Sequence, residues 1–537
     1  MRLASLAISC FILLGTAPAH DRQRADTCWL SIELVDAETG QPLPGLVQVH
    51  DADGHHVHLK QLLSRGIGIN EDVAIHNWSI LPKASRVNVP RQMLTIQSFH
   101  GLETELTEVV VDVRDREQAA VKIPLRRFYP TRRHGLQSAN THVHLQKVDR
   151  KQADRYLVEV AMGDGLDIVY VSYLERAGAD VDYTTNKYTR GDLKRLSNAK
   201  VTFDHGEEHR HNFAGFGQGY GHVMLLNIPE LVHPVSIGPG ITKKGTDGLP
   251  LKAGIQIAHG MGATVIWCHN DWGLEDIPNW LMGRLHANNI FDGGTHGSYK
   301  HSFYRYLNAG LHVPFSTGTD WFIYDFSRVY VRNQRRLSSE KWLDLLSEGR
   351  SFITNGPLLE LSVDGRPLGE TLDLAQLGPV KIVASARGRT DFERIEIVRN
   401  GQVVHTAASR PHGGHFVAEL EIDLQIAEPC WLALRTPPPS VGNDPELQTP
   451  TPLNEYGREL FSHTSPIFVN LAGRSVFQLA PARELLHEME HSRQSIDKHG
   501  LFTDEVERRR VLVVYDEAIQ KFGARLRDKA GAAGASD

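Results

Sequence analysis

Asn140-Thr141-His142-Val143-His144-Leu145 is the stretch on which the reading of this chain turns. In an extended strand, residues two apart project from the same face, so the two imidazoles reach one point. That is metal-ligand geometry. The pair follows a basic, proline-marked boundary, Arg126-Arg127-Phe128-Tyr129-Pro130, well inside a chain of 537 residues. The chain holds 28 histidines, so the pair has rivals. The nearest are His55, His56 and His58, after the Asp51-Ala52-Asp53-Gly54 turn, where a solvated hairpin group is the plainer reading.

Working outward, apolar strand runs alternate with amphipathic helical stretches from about Thr131 onward. This pattern predicts an α/β region with a largely parallel sheet. Strands are expected at Leu166–Ser172, Ala199–Phe203, His222–Leu226, Ala263–Trp267 and Val313–Ser316. Helices are expected at Lys151–Met162, Leu251–Met261, Ile277–His286, Lys300–Asn308 and Ser338–Glu348. The last starts on a capping serine and stops at Gly349. Metal-capable side chains fall at the ends of these strands: Glu207 and Glu208, then His269, then Asp320. In a parallel α/β barrel those ends meet at one mouth, where catalytic groups collect. His222 is the exception, at the start of its strand behind the glycine-rich Gly215–Gly221.

His205-Gly206-Glu207-Glu208-His209 also fits the inverted zinc-protease pattern His-x-x-Glu-His. That chemistry needs a helix, and Gly206, a preceding strand and a following glycine-rich loop argue against one. His205, His209 and His211 are read instead as lining the same mouth, and His233 and His259 as structural.

The flanks read differently. Met1–Ala19 has one cation, Arg2, an apolar run from Leu3 to Leu14 and small residues at Ala17 and Ala19, the pattern of a cleavable secretory signal too short to span a bilayer. No second apolar stretch of membrane length follows, so an exported protein, periplasmic or extracellular, is expected. A formal charge of −6 implies no nucleic-acid partner. Cys28, Cys268 and Cys430 beyond the signal are too few for a disulfide scaffold. Cys28 and Cys430 pair across domains or all three are buried thiols. Residues 20–130 read as a small antiparallel β-sandwich, 131–360 as the α/β region and 361–475 as a second β-sandwich, whose Asn400-Gly401 is a hairpin turn. The tail, 476–537, reads as helical. Its Val511-Leu-Val-Val-Tyr515 is too apolar to be free, so it packs on a neighbouring domain or makes an oligomer.

His142-Val-His144, Gly206-Glu-Glu208, Gly221-His222-Val-Met-Leu-Leu-Asn227, Trp267-Cys-His269 and Gly318-Thr-Asp320 together resemble the PHP (polymerase and histidinol phosphatase) metallohydrolases, and more closely the branch that includes the carbaryl hydrolases. Gly349-Arg-Ser-Phe-Ile-Thr-Asn-Gly-Pro357 and Val363-Asp-Gly365 are also similar to that branch. The resemblance covers roughly residues 26 to 470. It implies a distorted (β/α) barrel, flanked by the two β-sandwiches, with His142, His144, Glu208, His222, His269 and Asp320 as ligands. Glu207 competes with Glu208, and spacing does not choose between them. Two positions depart from the family pattern: Tyr173-Leu174-Glu175 stands where many members carry Asp-His, and Phe322 where they carry a histidine. A reduced centre of one or two divalent ions is therefore implied, with Glu175 as a substitute ligand or a rim residue.

Imidazoles and carboxylates suit zinc, manganese or iron. In a two-ion arrangement Glu208 bridges, His142, His144 and Asp320 hold one ion, and His222 and His269 hold the other. Such a centre activates water. The expected activity is hydrolysis of an ester-type bond in a small molecule, carbamate, carboxylic or phosphate, with Glu208 and His222 at the chemistry. The alternative is a non-catalytic extracellular binding protein with a reduced structural metal site.

Overall fold

The structure, a computed structural model, describes residues 26–70, 73–175, 182–214, 219–270, 273–294, 298–333, 335–440 and 452–534. The expected signal segment lies outside the described residues, as do parts of the loops 215–221, 271–278 and 436–452. The molecule is mixed α/β, mostly strands with few helices. No helix among the described residues is long and apolar enough to cross a membrane.

Leu136–His144, the strand that carries the His-x-His pair, is buried along its whole length. Both its faces must therefore be covered by other elements. It pairs in parallel with Ile168–Tyr173, which pairs in parallel with Thr202–His211. Direction then reverses, because Gly221–Leu226 runs antiparallel to both Thr202–His211 and Thr264–Cys268. From Thr264–Cys268 the sheet continues in parallel through Ala287–Asn289 to Phe315–Ser316. Asp320–Trp321 then pairs in parallel with Leu136–His144, and the sheet closes.

Helices cover the outside at Arg150–Gly163, Leu251–Gly260, Asp276–Leu281, Arg305–Asn308 and Ser339–Ser347. Their starts have the expected chemistry: the Asp149 carboxylate accepts from Gln152 N at 2.8 Å and Ser338 Oγ accepts from Lys341 N at 3.3 Å. The largest departure from the sequence reading is the strand expected to end at Phe203. It runs to His211, through Asp-His-Gly-Glu-Glu-His-Arg-His, all of them buried. Polar composition hid it, since strand preference follows the local environment more than residue type.

The N-terminal region forms a three-stranded and a five-stranded sheet that share one apolar cluster, with Leu30, Ile32 and Val87 from one and Val47, Val49 and Ile96 from the other. Thr27–Asp36 lies parallel to Gln118–Leu125, so this region is not purely antiparallel. In the C-terminal region, Asn400 and Gly401 both have positive φ, 51° and 89°, and join Arg394–Arg399 to Gln402–Ala408 in the expected hairpin. Here the hydrogen-bonded ladder is not interrupted: Arg328–Arg332 links Leu136–His144 to Ser351–Thr354, which pairs with Ser462–Thr464. Cys28 and Cys430 are buried thiols in separate apolar clusters and do not pair.

A buried ion pair ties the regions together. Arg65 donates to both Asp164 oxygens, at 3.2 and 2.6 Å, with neither side chain exposed. Tyr456 donates to the same carboxylate at 3.0 Å, and Arg328 to the Asp164 carbonyl at 2.7 Å. Removing one member strands a desolvated charge. Asp164→Ala is expected to destabilise the protein by about 3–5 kcal/mol in denaturant titration, whereas replacing Arg65 and Asp164 together by apolar residues costs much less.

The tail forms Leu479–His499 and Glu505–Gly534, which pack on the barrel of their own chain through Val511, Val514, Tyr515 and Phe522. Glu275 and Asp276 are fully buried beneath them. Glu275 accepts from Leu251 N and Lys252 N and so supplies the cap that Pro250 lacks. Burial pushes both carboxyls up to about 7. The folded protein thus holds these protons more tightly than the unfolded chain does. Their stabilisation is complete below about pH 4 and is lost as pH rises through 7. Melting temperature is expected to fall between pH 5 and 8 by an amount that Glu275→Gln reduces; the Glu275 share is at most about 3 kcal/mol.

Candidate metal centre

The closed sheet brings His142, His144, Glu208 and Asp320 within 4.8 Å of one another, all buried, and Glu208, His222 and His269 form an adjoining group by the same measure. Antiparallel pairing explains how His222 arrives there: the start of its strand lies at the same end of the sheet as the C-terminal ends of its neighbours. Opposite it stand Arg210 on one side and Cys268 on the other. Glu208 faces both groups. Its Oε2 lies 3.1 Å from His144 Nε2 and 3.8 Å from His142 Nε2, while Oε1 lies 3.1 Å from His222 Nδ1 and 3.9 Å from His269 Nε2.

The hydrogen bonds behind the histidines settle which nitrogen carries a proton. His144 Nδ1 lies 3.0 Å from the Ser172 carbonyl, which only accepts, so Nδ1 donates. His142 Nδ1 likewise meets Asp292 Oδ2 at 2.7 Å. In the neutral rings both Nε2 atoms carry lone pairs, and they face each other at 2.9 Å. Asp320 Oδ1, 3.3 Å from His142 Nε2 and 3.7 Å from His144 Nε2, is buried without a hydrogen-bond donor among the described residues. Lone pairs and carboxylate oxygens gathered this closely repel one another unless a proton or a metal cation lies among them. Their separations also bracket the roughly 3.3 Å between ligands placed about 2.05 Å from a tetrahedral ion. The donor set fits a divalent metal.

Without an ion the group favours a proton in its place: burial opposes charge on His142, yet the carboxylates of Asp292 and Asp320 raise it well above the usual histidine range, and a metal ion would displace that proton. Burial opposes charge on His269 too, and Asp292 again raises it. Burial raises the Asp320 carboxyl, helped by Glu208 beside it, although His142 and His269 work against the rise. His222 is pushed down to about 3, chiefly by burial and then by Arg210, and is neutral at physiological pH.

Several predicted residues are not drawn in. Alternation along Thr202–His211 turns Glu207 to the face opposite Glu208, where its oxygens meet His209 Nδ1 at 3.1 Å and Val232 N at 2.7 Å. The choice that spacing left open therefore falls on Glu208. His205, His209 and His211 share the Glu207 face and do not line the mouth. His211 stacks on Tyr220 and meets Asp247 at 3.0 Å. Because this segment is a strand, the inverted zinc-protease arrangement does not form. Glu175 is exposed. His56 Nε2 faces the Asn77 carbonyl at 2.7 Å, and His55 is exposed. Leu174 and Phe322, at the departures from the family pattern, are buried apolar side chains.

Asp292 was missed. It follows Ala287–Asn289, a short strand too polar to register as one, and it joins His142 to His269 from behind, at 2.7 and 3.3 Å. The place of Ala287–Asn289 between two helices in an alternating α/β chain is the signal that could have revealed it. Gly318 is required by closure: a Cβ there would sit 2.5 Å from the His142 Cβ.

No family model matches the chain, and neither do any curated protein or solved structure.

Elemental analysis after metal loading is expected to give one or two ions per chain. His142→Ala and Asp320→Ala are each expected to remove an ion, and Glu207→Gln to leave the content unchanged. Asp292→Asn should weaken affinity about 10–100-fold through ligand orientation. Unchanged metal content in both His142→Ala and Asp320→Ala would rule the ligand assignment out.

Proposed function

We propose that this chain is a metal-dependent hydrolase of ester-type bonds, carbamate, carboxylic or phosphate, in a small-molecule substrate. The observation that carries the reading is Glu208, with one oxygen toward the His142–His144 pair and the other toward His222 and His269. A divalent ion held by these residues would polarise a carbonyl or phosphoryl oxygen and lower the pKa of water toward 7.

The chain's own residues set the conditions for that chemistry. Asp292 and the Ser172 carbonyl hold His142 and His144 in the tautomers that aim Nε2 inward. His222 and Asp320, with side chains 12% and 11% exposed, are where the group meets solvent. His222 stays neutral across the physiological range and serves as a ligand or a proton acceptor, not as a stored acid. Supporting the resemblance to the PHP metallohydrolases are the closed sheet, the ligand order along the chain and the inward convergence of its signature residues. We accordingly read the centre of the molecule as a distorted PHP-type barrel with a β-sandwich on either side. The N-terminal pattern supports export, and the modest negative charge supports the absence of a nucleic-acid partner.

Near-complete burial of the group favours a second reading, in which the ion is structural and the protein binds without catalysis. A panel of carbamate, carboxylic and phosphate esters, each tested with zinc, manganese and iron, separates the two. The hydrolase is expected to turn over at least one ester class, with His142→Ala lowering the rate by about a hundredfold or more. Bound metal with no turnover on any ester would favour the binding protein.

A further inference from the structure

Among the described residues the buried arginines are Arg65, Arg210, Arg328 and Arg389. Three of them donate hydrogen bonds to described acceptors, although each also keeps one nitrogen without a hydrogen-bond partner. Arg65 donates to Asp164. Arg328 donates to the Phe326 and Asp164 carbonyls at 2.8 and 2.7 Å. Arg389 donates to the Thr104 carbonyl at 2.7 Å and to that of Gly101, and pairs with Glu455 at 3.0 Å. Arg210 differs. Its side chain is 9% exposed, its Nε is buried without a hydrogen-bond partner, and its guanidinium makes no hydrogen bond to any described residue. The nearest carboxylate oxygen, Glu208 Oε1, is 3.6 Å from Nη1 and already faces His222 Nδ1 at 3.1 Å.

A buried guanidinium with unused donors is costly, and it is the side chain best shaped to grip a planar or tetrahedral oxyanion through two parallel bonds. Position gives that capacity a purpose. Arg210 stands two residues beyond Glu208 on the same strand, hence on the same face, and directly across from His222 in the ladder. An anion held by it would lie on the His222 and His269 side of Glu208, where His222 meets solvent.

We propose that Arg210 anchors the substrate, and that the substrate carries an oxyanion, a phosphate or a carboxylate, at or beside the bond to be cleaved. The inference rests on reading the group as a substrate site. In that role Arg210 grips the anion and so places the neighbouring bond against Glu208 and His222.

The test is calorimetric titration of the metal-loaded protein with inorganic phosphate and, separately, with malonate, in wild type, R210Q and R210K. Wild type is expected to bind one of the two anions with one-to-one stoichiometry, and which one it prefers names the oxyanion. R210Q should bind it about tenfold or more weakly, and R210K should recover part of the loss, both with wild-type metal content and melting behaviour. Equal affinity in wild type and R210Q overturns the proposal. So does an R210Q protein that loses its metal, because the guanidinium then holds the site together and does not grip the substrate. Wild type that holds no metal but binds the anion through Arg210 sinks the hydrolase reading and leaves the anchor standing.

Discussion

Two imidazole nitrogens 2.9 Å apart, hemmed in by two carboxylates, form an arrangement that only a positive charge, a proton or a metal ion, makes favourable. The fold is built to impose it. Leu136–His144 holds both histidines on one face of a fully buried strand. Closure of the sheet then lays Asp320 directly beside Val143 in the ladder. A closed sheet leaves these side chains little room to retreat, so their mutual repulsion is relieved by a cation and not by movement. The outer contacts, Asp292 and the Ser172 carbonyl, remove the remaining freedom by fixing tautomer and ring plane.

Backbone strain gathers at the same place. Asn270, Phe291, Asp320 and Phe322 all have positive φ, between 48° and 57°. Asparagine and aspartate tolerate that region, whereas phenylalanine enters it at a cost of order 1–3 kcal/mol. The cost is offset by burial: Phe322 packs edge-on against Tyr156 at 5.4 Å and Phe291 against Phe461 at 5.1 Å. These side chains pin the turns that present Asp320 and Asp292. Gly293 lets the second turn pass close by, since a Cβ there would come within 3.0 Å of Asp320 Oδ2.

The outer regions brace this closure. Arg65, Asp164, Tyr456 and Arg328 join chain segments far apart in sequence at the end of Arg150–Gly163. On the far side the helical tail is held by its apolar face and by Asp247, which accepts from Leu501 N at 2.7 Å and meets His211 at 3.0 Å. Asp247 thus ties the tail to the strand that carries Glu208.

The sequence alone determined the pieces whose signal is local. Period-two spacing put His142 and His144 on one face, strand-end position pointed to the Glu207–Glu208 pair, His269 and Asp320, and the alternation of strands and helices set the α/β class. What it left open depended on strand extent, direction and pairing partners, which are properties of the folded sheet. Glu208 was separated from Glu207 only because the strand continues to His211 and alternates through both. His222 looked misplaced until antiparallel pairing put its strand's start at the mouth. Asp292 and Arg210 carry no local signature at all: one lies behind the histidines and the other beside Glu208 because distant segments meet there. Spacing along a chain fixes which residues share a face, but only long-range pairing decides what that face confronts.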